Sequence, residues 1–299
     1  MNRRNQKYIH ELAECKSKKI GLNSKVWQYC VILEGAKIGD NCNICSHCFI
    51  ENDVKVGDNV TIKNGVQLWD GINIEDNVFI GPNVSFTNDL LPTSKNHQEK
   101  VKKTFIEKNV SIGAGASILP GIKIGQGATI GAGAVITRSV DPFVTVIGNP
   151  QTSIGYKSRD PKKLKPFTKG SKKYSLKRNS DRRGELISAE SLKEVPFEFK
   201  RIFYISKVMP QFNRGSHAHL KCKQFIICIQ GSLNVACDDG KYHSVHKLDS
   251  PSEGLFVPEM TWNVLYNFSN DCLVMVLASD KYLKNDYITN FDKFIKKTQ

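Results

Sequence analysis

An aliphatic residue returns at every sixth position from Ile20 to Ile80, through Val26, Ile32, Ile38, Ile44, Ile50, Val56, Ile62, Leu68 and Ile74. Four residues after each comes a small or β-branched residue, among them Ser24, Cys30, Ala36, Cys42, Cys48, Val54 and Val60. The period resumes in shifted phase at Ile106, Ile112, Ile118, Ile124 and Ile130, with Val110, Ala116, Ile122, Ala128 and Ala134 at the fourth offset. Six matches neither the 3.6-residue turn of an α-helix nor the two-residue alternation of a flat strand. It suits a triangular coil with three short strands per turn, so that three hexads make one 18-residue coil. The glycines and Asp-Asn pairs of IGDN, VGDN, IGPN, IGAG and IGQG are expected at the corners, where positive φ is needed.

This register also accounts for a CxxCxxC stretch at Cys42, Cys45 and Cys48 that otherwise suggests a metal site. Cys42 and Cys48 fall in the small-residue core slot and Cys45 at a corner, so packing explains all three. A chain of 299 residues, 40% of them apolar, is long enough for two cores. The start, MNRRNQKYIHELAEC, carries no apolar run, and nowhere do 18 apolar residues follow one another, so a cytoplasmic protein without a membrane span is expected. Nine cysteines in such a chain read as reduced thiols. Of the formal charge of +14, a net +10 sits between Lys157 and Arg183. That stretch reads as an exposed basic linker, 157–180, rather than as a nucleic-acid surface.

Between the two blocks of hexads the phase breaks at TNDLLPTSKNHQEKVKKTF, a polar excursion of the kind that carries function in a regular solenoid. Asn88 opens it and Asp70 lies 18 residues earlier, one coil away on the same edge. A carboxylate beside an amide suits an amine nucleophile, accepting its proton while the amide oxygen orients the nitrogen. A surface Asp and a turn-ending Asn fit the same residues, and His97 is an alternative base. The segments FIGPNVSFTND, SIGAGASILPGIKIGQGATIGAGAVITRSV and VIGNP resemble the hexapeptide acyltransferases that N-acetylate dTDP- and UDP-linked amino sugars. The resemblance implies a left-handed parallel β-helix over 1–156, a trimer, and Asn88 and Asp70 as catalytic residues with Asp89 binding substrate. It also implies acetyl-CoA in the groove between solenoids, lined by Gly113, Ala114, Gly131, Ala132 and Arg138.

From about Gly184 the texture changes to short apolar and β-branched runs such as FKRIFYI, QFIICIQG, GLFVP, WNVLYNF and CLVMVLAS, the signature of a sandwich or small barrel over 181–299. In GSHAHLKCKQ, alternation places His217 and His219 on one strand face. The segment resembles the cupins, an all-β jelly-roll family, but the glutamate of their metal set is Gln224 here and the late histidine is Asn263, with Asn267 beyond. Neutral amides are poor replacements around a divalent ion, so no metal is expected and the imidazoles are free for proton transfer. Paired histidines that only satisfy buried hydrogen bonds remain the plainer alternative.

RIFYI, RGSHAH, QGS, DDG, LDSP, GLFVP and the final DYI are similar to the dTDP-4-keto-6-deoxyglucose 3,4-ketoisomerases. That likeness implies His219 as principal base, His217 as its partner or second acid, and Arg214, Tyr204 and Gln224 at the substrate. It also implies a dimer. Together the two resemblances imply isomerisation of the keto sugar and N-acetylation of a dTDP-3-amino-3,6-dideoxyhexose, for dTDP-Fuc3NAc or dTDP-Qui3NAc and surface polysaccharide. A separate aminotransferase would act between the two steps. A trimeric part fused to a dimeric one closes most simply as a hexamer. Competing readings are a scaffold with one inactive domain and a metal-dependent cupin oxygenase fused to an acyltransferase.

Overall fold

The structure is a computed structural model that describes residues 6–95, 101–157, 170–209 and 211–299. The chain divides into two compact units, Met1–Arg159 and Asp160–Gln299.

The first unit is a β-solenoid. Its strands are mostly two residues long, as at Lys25–Val26, Val31–Ile32 and Lys37–Ile38. Among the described residues they stack into sheets of nine, seven and five strands, parallel except where Val144–Ile147 meets Thr152–Tyr156. Lys25 pairs with Asn43 and Asn43 with Thr61, which is the 18-residue coil. The periodic aliphatic residue points inward in every strand: Val26, Ile32, Ile44 and Ile62 are fully buried, as are Cys30 and Ala36 at the fourth offset. Each such aliphatic side chain contributes about 1.5–3 kcal/mol by leaving water, which is how strands of two residues hold together. Cys42 and Cys48 are buried here too, and their Sγ atoms approach the carbonyls of Gly57 and Lys63 at 3.1 and 3.2 Å.

The IGDN corner takes its positive φ from one of the two residue types expected there. In IGDN it is the asparagine, Asn41, that takes a left-handed φ of 56°, whereas Gly39 does not lie in that region. Gly39 is required by close approach instead, since a Cβ there would lie 2.6 Å from the carbonyl oxygen of Gly57 on the next coil. The aspartate between them caps the stack: Asp58 Oδ1 accepts the backbone N–H of Asp40 at 2.7 Å, and Asp76 Oδ1 that of Asp58. The excursion leaves this order intact. Ile72, Asn73 and Ile74 pair with Thr104, Phe105 and Ile106, so the offset grows from 18 to 32 residues across it and the coil then continues in register.

The second unit is a sandwich of two five-stranded antiparallel sheets. One contains Gln224–Gln230 and Leu273–Ala278, the other Arg214–His219, Leu233–Asp238 and Trp262–Tyr266. Between them lie Ile226, Cys228, Val235, Leu255, Val257, Leu265, Val274 and Val276. The basic stretch read as a linker to residue 180 is already part of this unit from Lys172. Lys172–Ser175 pairs with Glu253–Phe256, and Leu176 joins an apolar cluster with Phe225 and Leu277. Lys172 and Lys173 are both exposed on this edge strand beside the half-buried Tyr174, so its composition hides the alternation. Lys177–Asp181 and Gly184–Ser188 then form a separate two-stranded hairpin. The short strand Tyr287–Ile288 pairs with Ala218 and His219. The helix Phe291–Thr298 follows, capped by Asn290, whose side chain accepts the N–H of Lys293 at 2.9 Å; Phe291 and Phe294 pack on Trp262.

Candidate functional site

The histidines owe their direction to a bulge. The strand Arg214–His219 pairs with Trp262–Tyr266, but its register shifts between Gly215 and His217. Gly215 has φ +82° and Ser216 φ 55°, a left-handed pair that inserts the extra residue. A Cβ on Gly215 would sit 2.6 Å from Asn263 Oδ1 and 2.7 Å from the Asn263 carbonyl, so this position is closed to other residues. Because cross-strand partners share a face, the pairs Arg214 with Leu265 and His217 with Asn263 bring Arg214 and His217 onto the interior side although they are three residues apart.

Beyond the bulge the two rings meet. His217 Nε2 lies 3.2 Å from His219 Nε2, with the rings edge-on at 4.9 Å between centroids. His217 Nδ1 donates to the Gly215 carbonyl at 2.8 Å. His219 Nδ1 lies 2.8 Å from Asp286 Oδ2, and Gln224 Nε2 lies 3.2 Å from His219 Nε2. Asp286 Oδ1 also accepts the N–H of Lys221, and Oδ2 that of Cys222. The Tyr287 ring packs on both imidazoles, at 4.8 and 4.4 Å. His219 is 3% exposed and His217 half-buried. Burial pushes the His217 imidazole down to about 4, with the Gly215 carbonyl opposing the shift. Burial lowers His219 as well, opposed by Asp286. At neutral pH both rings are therefore uncharged and hold lone pairs.

Of the residues expected here, His217, His219 and Gln224 come together, and the Asn263 amide donates to the His217 carbonyl at 3.3 Å. Arg214 shares their face. Tyr204 does not. Phe203 and Ile205 of its strand pack on the core, so alternation turns Tyr204, 64% exposed, to the opposite side of the sheet. Asp286 and Tyr287 were not singled out by sequence reasoning, though both stand in the DYI segment. Among the described residues, His219, Cys222 and Asp286 form the one cluster whose possible metal-ligating atoms converge, within 4.8 Å. The His219–Asp286 hydrogen bond and the Cys222 N–H on the same carboxylate account for that closeness.

In the solenoid, the pairing of Gln67 with Ser85 puts Asp70 and Asn88 at equivalent positions of adjacent coils. Asp70 Oδ1 accepts the N–H of Asp53 at 2.6 Å, a coil-capping role, while Asp89 Oδ1 accepts the N–H of Leu91. His97 lies outside the described residues. Gly113 and Ala114 stack directly over Gly131 and Ala132: a Cβ on Gly113 would meet Ala132 N at 2.5 Å, and Gly133 N donates to the Ala114 carbonyl. Ala114 and Ala132 are exposed at this corner. The backbone N–H groups of Thr137 and Arg138 are held by the buried Gln151 side chain at 2.7 and 3.0 Å.

Residues 169–299 match the family model described as WxcM-like, C-terminal. Over 122 residues the chain is 43% identical to the TDP-4-oxo-6-deoxy-alpha-D-glucose-3,4-oxoisomerase of Aneurinibacillus thermoaerophilus, an overlap of 41% of this chain and 88% of that protein. The chain belongs to this 3,4-ketoisomerase family. A solved 3,4-ketoisomerase from Helicobacter canadensis is 40% identical to the ketoisomerase unit, covering 43% of this chain and 97% of that one with a TM-score of 0.42. The bacterial transferase hexapeptide model matches residues 17–52, 53–88 and 103–138. There the chain is 34% identical over 74 residues to the galactoside O-acetyltransferase of Lactococcus lactis subsp. lactis, 23% of this chain and 36% of that protein. It is 41% identical over 78 residues to the serine acetyltransferase of Buchnera aphidicola subsp. Schizaphis graminum, 24% of this chain and 30% of that protein. The chain thus joins a ketoisomerase unit to an acetyltransferase-like solenoid, and among the described residues no helix is long and apolar enough to cross a membrane.

Proposed function

We propose that the chain is a bifunctional sugar-nucleotide enzyme of the cytoplasm. Its second unit isomerises TDP-4-keto-6-deoxyglucose to the 3-keto sugar, and its solenoid transfers acetyl from acetyl-CoA to the amine of a TDP-3-amino-3,6-dideoxyhexose. The observation that carries the first activity is the pair of uncharged imidazoles with converging Nε2 atoms. The C3–H bond of a 4-keto sugar is acidic because its electron pair can pass into C3=C4 and onto the carbonyl oxygen. An imidazole Nε2 takes that proton, O4 is protonated to the enediol, O3 loses its proton as C3=O forms, and C4 receives the proton from the imidazolium. The oxidation of C3 and reduction of C4 balance, and no external oxidant is needed. We place His217 nearer the sugar because it is the more exposed of the two, and His219 Nε2 is faced by Gln224 as well as by His217. This reverses the order that the sequence suggested. Arg214, on the same face, suits the diphosphate.

For the solenoid, the carboxylate of Asp70 and the amide of Asn88 at the same edge would receive the amine, with Asp89 beside them. The exposed Gly113–Ala114 and Gly131–Ala132 corners and Arg138 would take the pantetheine and phosphates of acetyl-CoA from a neighbouring solenoid's groove. An aminotransferase must convert the 3-keto product before the amine exists, so the two sites serve non-consecutive steps. A hexamer, trimeric through the solenoid and dimeric through the second unit, satisfies both parts. The test is to incubate the protein with TDP-4-keto-6-deoxyglucose and follow the sugar by NMR, then to offer acetyl-CoA with a TDP-3-amino-3,6-dideoxyhexose and follow free thiol. A 3-keto product, with its C4 configuration read from the couplings, and amine-dependent thiol release are expected. An unchanged sugar would sink the first assignment, and acetyl-CoA left intact the second.

A further inference from the structure

We propose that Asp286 is a positioning residue which fixes the tautomer of His219 and so determines how many protons lie between the two imidazoles. The inference rests on the isomerase reading and deepens it at the same site. The Asp286 carboxylate accepts backbone N–H groups on both oxygens, from Lys221 at 2.9 Å and Cys222 at 3.3 Å. With both oxygens already acting as acceptors, the 2.8 Å contact to His219 is an Nδ1–H donated to Oδ2. On His217 the partner of Nδ1 is the Gly215 carbonyl, which also only accepts, so that ring too carries its proton on Nδ1. Both neutral rings therefore present unprotonated Nε2 atoms, 3.2 Å apart. At rest the Gln224 amide donates to the His219 Nε2 lone pair, and this donor gives way when a proton reaches His217.

The arrangement changes character once a proton arrives. When C3–H is broken and His217 Nε2 takes the proton, the new N–H finds His219 Nε2 as acceptor, and the positive charge is shared along a line that ends on the Asp286 carboxylate. No proton sits between the rings at rest, and one sits there at the enediol stage. If His219 instead carried its proton on Nε2, it would donate to His217 and occupy the very lone pair that must act as base. Asp286 prevents this from outside the contact zone. It reaches His219 because the strand Tyr287–Ile288 pairs with Ala218 and His219, and Tyr287 clamps both rings.

The experiment compares the full chain with Asp286→Asn and Asp286→Glu, using TDP-4-keto-6-deoxyglucose as substrate and acetyl transfer as the internal measure of intact protein. Asp286→Asn replaces the obligate acceptor with a group that can donate to Nδ1 and release the Nε2–H tautomer. A fall in kcat of about 10²-fold or more is expected, with KM changed less than about threefold. Asp286→Glu, which keeps an acceptor, should recover at least about a tenth of the wild-type kcat. Nitrogen NMR of 15N-histidine-labelled wild type should show both ring tautomers as Nδ1–H whatever the activity. An Nε2–H His219 in the wild type, equal losses in the two variants, or a loss confined to KM would overturn the proposal. If the wild type itself leaves the sugar unchanged while the tautomers are as stated, it is the isomerase reading that fails.

Discussion

His217 illustrates how one side chain couples pH to both stability and catalysis. Its folded-state value of about 4 lies below the 6.5 of a free imidazole, chiefly because burial penalises the cation. The unfolded chain therefore binds a proton near pH 6.5 that the folded unit refuses until about pH 4. Stability from this group is full above pH 6.5 and is lost as pH falls toward 4, on the order of 3 kcal/mol in all. Thermal melts of the second unit should drop across that window, and His217→Asn should flatten the slope; a variant with the wild-type slope would refute the account. His219 escapes the same simple treatment because Asp286 opposes its desolvation.

At the scale of elements, the bulge is what converts an alternating strand into a site. Gly215→Ala should force the Cβ into Asn263 and rotate the strand beyond it. A displacement of about 1 Å at the imidazoles costs on the order of 10² in rate, so isomerisation should collapse while acetyl transfer persists. Much of this architecture was legible in the sequence. The hexad aliphatics Ile20 to Ile80 gave the coil and its 18-residue repeat, and HxH gave two rings on one face. Other parts were not. Lys172–Ser175 was hidden because an edge strand of lysines reads as solvated linker, and Tyr204 was misplaced because a motif does not say which face of its strand a residue takes. Asp286 sits 67 residues from His219, a contact that only the pairing of Tyr287–Ile288 with Ala218–His219 creates. At the IGDN corners the pattern says that Gly or Asn supplies the positive φ but not which: Asn41 does, and Gly39 is small because the next coil leaves no room for a Cβ.

For the whole molecule, the proposed activities depend on residues in separate units, so they should be separable. His219→Asn should remove isomerisation and leave acetyl transfer within about twofold, and Asn88→Ala should do the reverse. Loss of both activities in either variant would contradict two independent sites. The excursion after Asn88 leaves the frame of the solenoid unchanged. The coil after it resumes in the phase that the coil before it dictates, with Ile74 beside Ile106 as if nothing intervened. The solenoid's frame therefore fixes where that segment leaves and where it rejoins, at Thr104 beside Ile72. The excursion is thus an insertion between coils whose stacking carries on across it, Ile74 on Ile106 and Ile106 on Ile124.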